Sequence, residues 1–115
     1  MSADSTNPED TKLLVLARSS RARTGAAEGA AVRDLDGRTY TAVTVALPSL
    51  QVSALALATA MAVSSGASGL EAAAVVTGAD AVTPADLAVL ADLAGAGVTV
   101  WLGDSAGRPV GHAQT

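Results

Sequence analysis

At 115 residues, with a formal net charge of -4 and no cysteine, the chain reads as one domain, and thiolate catalysis, disulfides and Cys-containing zinc or iron–sulfur sites are excluded. The acidic balance, with a pI near 4.6, offers no basic face to displace counterions, so no nucleic-acid partner is expected. One Trp, one Tyr and no Phe leave a core built of small pieces, since Ala supplies roughly a quarter of the residues against a far lower usual share.

The chain opens with a polar, acidic stretch, Met1 to Asp10, that has no apolar h-region. No signal peptide is expected there, and the default location is the cytoplasm. Residues 1–9 are taken as a disordered lead before a domain over 10–111, although Pro8-Glu9-Asp10 already has the look of a first helical turn. A helix then runs to about Arg23, with Leu13, Leu14, Leu16 and Ala17 as its apolar stripe. Arg18, Arg21 and Arg23 form the only basic cluster, and cations near a helix end explain it better than a phosphate site.

Gly25 ends that helix, and Gly29–Arg33, the Asp36-Gly37 turn signal and Arg38–Val45 read as strand, turn, strand. From Pro48 to Gly66 the sequence predicts a buried helix, uncharged, rich in good helix formers over Ala54–Ala62 and stopped by Gly66. Its Leu and Val content is too low for about 20 residues of hydrocarbon core, so no membrane partner is expected. Leu70–Thr77 reads as a buried strand between glycines. Thr83 is a candidate N-cap for a helix with Pro84 at its first position and Asp86 in its first turn. Val98–Leu102 is a further strand, Pro109–His112 a short one, and 112–115 a tail. Crossover helices between Ala42 and Leu70, and between Val76 and Val98, imply parallel pairing with right-handed connections. The fold class is therefore α/β, a three-layer α/β/α sandwich with a mixed sheet.

This order and several phrases resemble the cytidine deaminase family over about Lys12 to Val110. Gly29-Ala-Ala-Val looks like the strand lining the nucleoside pocket, Asp36-Gly37-Arg38-Thr-Tyr-Thr like the hairpin after it, and Ala62-Val-Ser-Ser-Gly66 like the close of the central helix. Thr83-Pro84 matches the start of the helix that carries the second half of the zinc motif. The resemblance implies a zinc held by one Cys or His at the start of the central helix and by two cysteines in a Pro-Cys-x-x-Cys helix start. The metal activates water, and a Glu two residues after the first ligand moves the proton. Aligned on those phrases, Ser53 takes the first ligand position, Leu55 the position of the Glu, and Ala85 and Ala88 those of the two cysteines. The family's Asn-x-Glu pair for the sugar hydroxyls falls near Ala42–Val45, where neither residue type is present.

Replacement constellations are weak. His112, the sole His, is expected to be exposed and idle. Ser53 as a nucleophile would need Lys12 or His112 brought to it from distant elements, whereas a helix-start serine commonly satisfies backbone. Asp80, Asp86, Asp92 and Glu71 could gather for a divalent metal, but Asp86 and Asp92 are better explained by dipole and solvent. Glu28 is unusual because the family has an apolar residue there, and a solvated strand-end charge accounts for it. The reading is a degenerate family member with no catalytic or metal residues and no cofactor. Its role is structural, assembly or regulatory, as a homo-oligomer, tetramer or dimer, of which part of the Leu50–Val63 face forms the interface. The alternatives are a nucleoside-like small-ligand module using the remnant pocket, or an active deaminase-type hydrolase with an unrecognised site.

Overall fold

The computed structural model describes residues 6–115. Helix α1 (Pro8–Thr24) starts one residue after its N-cap Asn7, whose side chain accepts from the Asp10 amide, and ends at Gly25 with φ +68°. The domain therefore begins before residue 10: Pro8 and Glu9 are helical, because Asn7 supplies the cap and Pro the preset φ of a first turn. The remainder of the expected lead, Met1–Ser5, lies outside the described residues.

Strands β1 (Glu28–Asp34) and β2 (Thr39–Val43) form the expected hairpin, turned with Gly37 at φ +83°. The stretch beginning at Pro48 is not helical throughout. Val45–Leu47 (β3) and Leu50–Val52 (β4) pair as a separate two-stranded hairpin, and helix α2 covers only Ala54–Ser64. Pro48 opens the hairpin turn instead of a helix, a position that its fixed φ suits equally well, while Val45 and Val52 favour extended backbone. Ser53 is the residue that starts the helix, its Oγ accepting from the Ala56 amide at 3.2 Å.

Strand β5 (Leu70–Thr77), helix α3 (Pro84–Ala94), strand β6 (Thr99–Gly103) and strand β7 (Pro109–Gln114) complete the chain. Thr83 caps α3 as its sequence suggests, accepting from the Asp86 amide. The last residues are not a tail: Ala113 and Gln114 stand opposite Val100 and Thr99, and the Thr115 amide donates to the Val98 carbonyl. The polar composition of the terminus hid an edge strand, which needs only one covered face.

The main sheet is five-stranded in the order β2-β1-β5-β6-β7, and only β5 and β6 run parallel. The connection from β2 through α2 to β5 joins strands that point the same way but are not neighbours, because β1 lies between them, antiparallel to both. Period-2 alternation divides the sheet into two cores. Ala31, Ala72, Ala74, Val76 and Trp101 meet Leu13, Leu14 and Ala17 of α1 on one face. Ala30, Val32, Ala73, Val75, Val100 and Leu102 meet α2 and Leu90 of α3 on the other. The molecule is thus a three-layer α/β/α sandwich with a mixed sheet. Glycine sets one close approach: a Cβ on Gly29 would collide with the Ala17 carbonyl oxygen of α1. No helix among the described residues is long and apolar enough to cross a membrane.

Candidate functional site

The starts of α2 and α3 come together on one side of the sheet. Ser53 Oγ donates to Asp86 Oδ1 at 2.6 Å while accepting from the Ala56 amide, so the hydroxyl that caps one helix is tied to a carboxylate in the first turn of the other. Asp86 is buried. Sequence reasoning assigned it to the helix dipole, and it does stand in the first turn of α3, but as the partner of Ser53 as well. Its signal in the sequence was the third helical position behind Thr83-Pro84, which fixes the direction of the side chain but not what it meets.

Two residues beyond Ser53, Leu55 is 0% exposed and belongs to the core with Val32, Ala42, Ala58 and Val75. Ala85 and Ala88, on the opposite helix, are exposed. The four positions that the resemblance assigns to metal and proton transfer are therefore only partly brought together. Ser53 faces Asp86, Leu55 points into the core, and the two alanines look outward. This donor set does not fit a zinc ion. One hydroxyl is already engaged on both sides, leucine and alanine have no donor atom, and zinc takes three or four N, S or carboxylate ligands. Near Ala42–Val45, Ala42 is buried and the Thr44 hydroxyl accepts from the Glu28 amide at 3.1 Å, so the one polar side chain of the segment is partly engaged by backbone.

The remaining candidates are scattered. His112 is exposed on β7 and its ring lies 5.3 Å from that of Trp101, tilted by 51°. Lys12 pairs with Glu9 at 3.2 Å on the outer face of α1. Asp80 is exposed in the loop after β5, Asp92 lies in the exterior groove between α2 and α3, and Glu28 is half-buried at the start of β1. Among the described residues no three His, Cys, Asp or Glu side chains stand close enough to hold a metal ion.

Two polar clusters went unread in the sequence. Beneath α1, Arg33 donates to Asp10 Oδ1 and, through Nε, to Glu71 Oε1, both at 2.8 Å, and Trp101 Nε1 donates to Asp10 Oδ2 at 3.0 Å. Burial opposes the Arg33 charge, but the two carboxylates outweigh it and raise the guanidinium above its ordinary range. At the β1–β2 turn, Asp34 accepts from the Asp36 and Arg38 amides at 2.9 Å and from the Tyr40 hydroxyl at 2.8 Å. Burial pushes the Asp34 carboxyl up, yet these donors and the Arg38 charge hold it below the usual carboxylate range. Tyr40 is raised, first because its proton is held by Asp34 and then by burial. Both clusters tie buried groups to partners, although Arg33 Nη1 is buried without a hydrogen-bond partner among the described residues. The largest cavity described, about 530 Å³, is the apolar groove outside α2 and α3 along Ala56, Ala60, Val63, Val89 and Leu93.

Similarity to known proteins agrees with this architecture. The chain matches the cytidine deaminase from Burkholderia pseudomallei with a TM-score of 0.75 at 22% identity, over 90% of this chain and 89% of that one. The cytidine deaminase from Mycobacterium leprae gives 0.73 at 21% identity, over 95% and 94%. That from Mycobacterium tuberculosis gives 0.70 at 24% identity, over 82% and 85%. No curated protein sequence matches the chain. At these identities the likeness establishes the fold, and the family follows from the sequence model of cytidine deaminase-like proteins, which matches residues 6–107: the chain belongs to the cytidine deaminase-like family.

Proposed function

We propose that this chain is a catalytically inactive, cytoplasmic member of its family whose role is structural, in assembly or regulation, as a homo-oligomer. The observation that carries the reading is Leu55, fully buried at the position where the family resemblance requires the proton-moving Glu. Ser53 supports it, because its hydroxyl is consumed by Asp86 and Ala56 and is not presented to a ligand. A deaminase needs a polarised water and a proton-moving carboxylate beside it; here the position of that carboxylate is held by the buried Leu55 side chain, and the nearby Asp86 is engaged by the Ser53 hydroxyl.

The assembly part rests on surface. Leu47 and Leu50 flank the β3–β4 turn with 56% and 52% exposure, and Met61 and Val63 lie exposed on α2, beside the apolar groove that runs to α3. Such side chains on one hairpin and one helix of a protein poor in large core residues suit closure against further copies. One purified preparation tests both parts. Elemental analysis after dialysis is expected to find no stoichiometric zinc, and cytidine absorbance is expected to stay constant; about one zinc per chain with loss of cytidine overturns the reading. Sedimentation equilibrium is expected to give a dimer or tetramer, and a monomer of 11.2 kDa removes the assembly role.

A further inference from the structure

The arginine cluster of α1 is not absorbed by the fold. Arg18 and Arg21, one turn apart on the same helix, line a cavity of about 360 Å³ together with Ala22, Gly25, Ala26 and Ser105 of the β6–β7 turn. Among the described residues neither guanidinium has a hydrogen-bond or ion-pair partner, a lack they share with Arg23, Arg38 and Arg108, whereas Lys12 pairs with Glu9 and Arg33 holds two carboxylates. What sets Arg18 and Arg21 apart is that they line one cavity. The ordinary reason for arginine at a helix end is also weakened here. The Arg21 carbonyl already accepts from the Gly25 amide at 2.9 Å, and the Ser20 carbonyl from Thr24 Oγ1 at 2.8 Å, so these last-turn acceptors are satisfied without either guanidinium.

The position of Arg18 is built. Its stem lies across the β6–β7 turn at Gly107, where a Cβ would stand 3.1 Å from Cδ and 3.3 Å from Cβ of the arginine. Gly107 also has φ +78°, so the turn is shaped by a residue that leaves this stem room. The carboxylate of the same turn, Asp104, accepts from the Ala106 and Arg108 amides at 3.0 Å through Oδ1, which engages that oxygen within its own loop. The cavity thus brings two arginines without partners and Ser105 to the edge of a mostly apolar volume within the range of small-ligand sites, in a protein whose net charge is -4. Arginine forks match tetrahedral oxyanions bidentately, and a serine hydroxyl adds a neutral donor.

We infer that this cavity is a binding site for a small molecule bearing a phosphate group, held by Arg18 and Arg21 with Ser105 as a third donor. The site lies on the α1 side of the sheet, opposite the meeting of α2 and α3, and does not depend on the proposed loss of catalysis. The test is a titration of the full chain with inorganic phosphate, ribose 5-phosphate and succinate, followed by amide chemical shifts. Saturable shifts at Gly25, Ala26 and Ser105 with the two phosphate probes are expected, and weaker binding of succinate, since an arginine fork also takes a carboxylate but a phosphate offers more charge and acceptor oxygens. Free phosphate binding as tightly as the ester would assign the site to the inorganic ion, within the same chemistry. Arg18→Gln and Arg21→Gln, which keep most of each stem, should each weaken binding about tenfold or more. Arg23→Gln removes the same charge from a residue outside the cavity and should leave binding unchanged. Shifts that fail to saturate at millimolar phosphate, succinate binding equal to the phosphates, or equal loss in all three variants would overturn the site.

Discussion

The two faces of the sheet solve burial in opposite ways. The α1 face sets Trp101 beside Leu13 and Leu14 and encloses an ionic network in which Asp10 is shared by Arg33 and Trp101. The α2/α3 face is mostly alanine and valine around Leu55 and Leu90, joined at the helix starts by the Ser53–Asp86 bond. The difference teaches that a buried carboxylate can be held by an ionic partner on one face and by a helix start on the other. Buried carboxylates stand on both faces: Asp10 is met by Arg33 beneath α1, whereas Asp86 is met by the Ser53 hydroxyl at the converging helix starts.

The comparison breaks first at Asp10. With Asp10 and Arg33 side chains 10% and 13% exposed, Asp10→Ala leaves a buried guanidinium short of one carboxylate and the Trp101 N–H without its acceptor. A loss of about 3–5 kcal/mol in urea unfolding is expected, because the guanidinium keeps only the half-exposed Glu71 and the buried indole N–H loses its acceptor. A loss below about 1 kcal/mol would mean that the network is a solvated surface pair. The opposite face is expected to respond next, to Leu55→Glu. Restoring the acid that the family resemblance calls for places a carboxylate among Val32, Ala58 and Val75, at a cost of about 3 kcal/mol, and the variant should gain no deaminase activity. An unchanged melting temperature would show that the position opens to water and that the apolar reading of this face is wrong.

What was legible in the sequence follows from the range of the forces concerned. Helices announced by local caps were readable: Thr83-Pro84 and the Gly25 stop fall where the caps lie, since capping is decided within four residues. Pro48 misled, because a preset φ suits a helix start and a turn equally, and the deciding pairing of Val45 with Val52 spans the hairpin. The candidate site was half legible. Ser53 and Leu55 could be placed from the phrase that closes α2, but nothing near Asp86 says that it faces Ser53, 33 residues away. The Asp10–Trp101 bond spans 91 residues, and its only trace in the sequence is that a lone buried indole needs an acceptor.

A finer probe of the α2/α3 face is Ser53→Ala. It removes the α2 cap and the donor to buried Asp86 together, with an expected loss of about 2 kcal/mol, smaller than at Leu55 because the helix start remains near water. Asp86→Ala should cost a similar amount, and the double variant less than the sum, since both singles delete one shared bond. Additive losses in that cycle would show that the two side chains do not depend on each other and that the helix starts are held by packing alone.

The smallest effect is expected at the β1–β2 turn, and it is read as a shape in pH. The Asp34 carboxyl is held below its usual range by the Tyr40 hydroxyl and the Arg38 and Asp36 amides, against a burial effect that pushes it up. A depressed carboxyl contributes stability above its unfolded value and loses it as pH falls through the folded value, so the contribution fades from the ordinary carboxylate range downward. Tyr40 is raised above 10.0, chiefly because its proton is held by Asp34. Its contribution is complete below the ordinary tyrosine range and fades as pH rises through the folded value. Tyr40→Phe should remove the alkaline fade that belongs to this hydroxyl and shorten the acid fade, while the two turn amides preserve part of the latter. Melting temperatures of both proteins, measured across the acid, neutral and alkaline ranges, would resolve the two limbs. If the acid limbs superimpose, the Tyr40 hydroxyl does not hold the Asp34 charge, and the turn is fixed by its backbone amides and Gly37 alone.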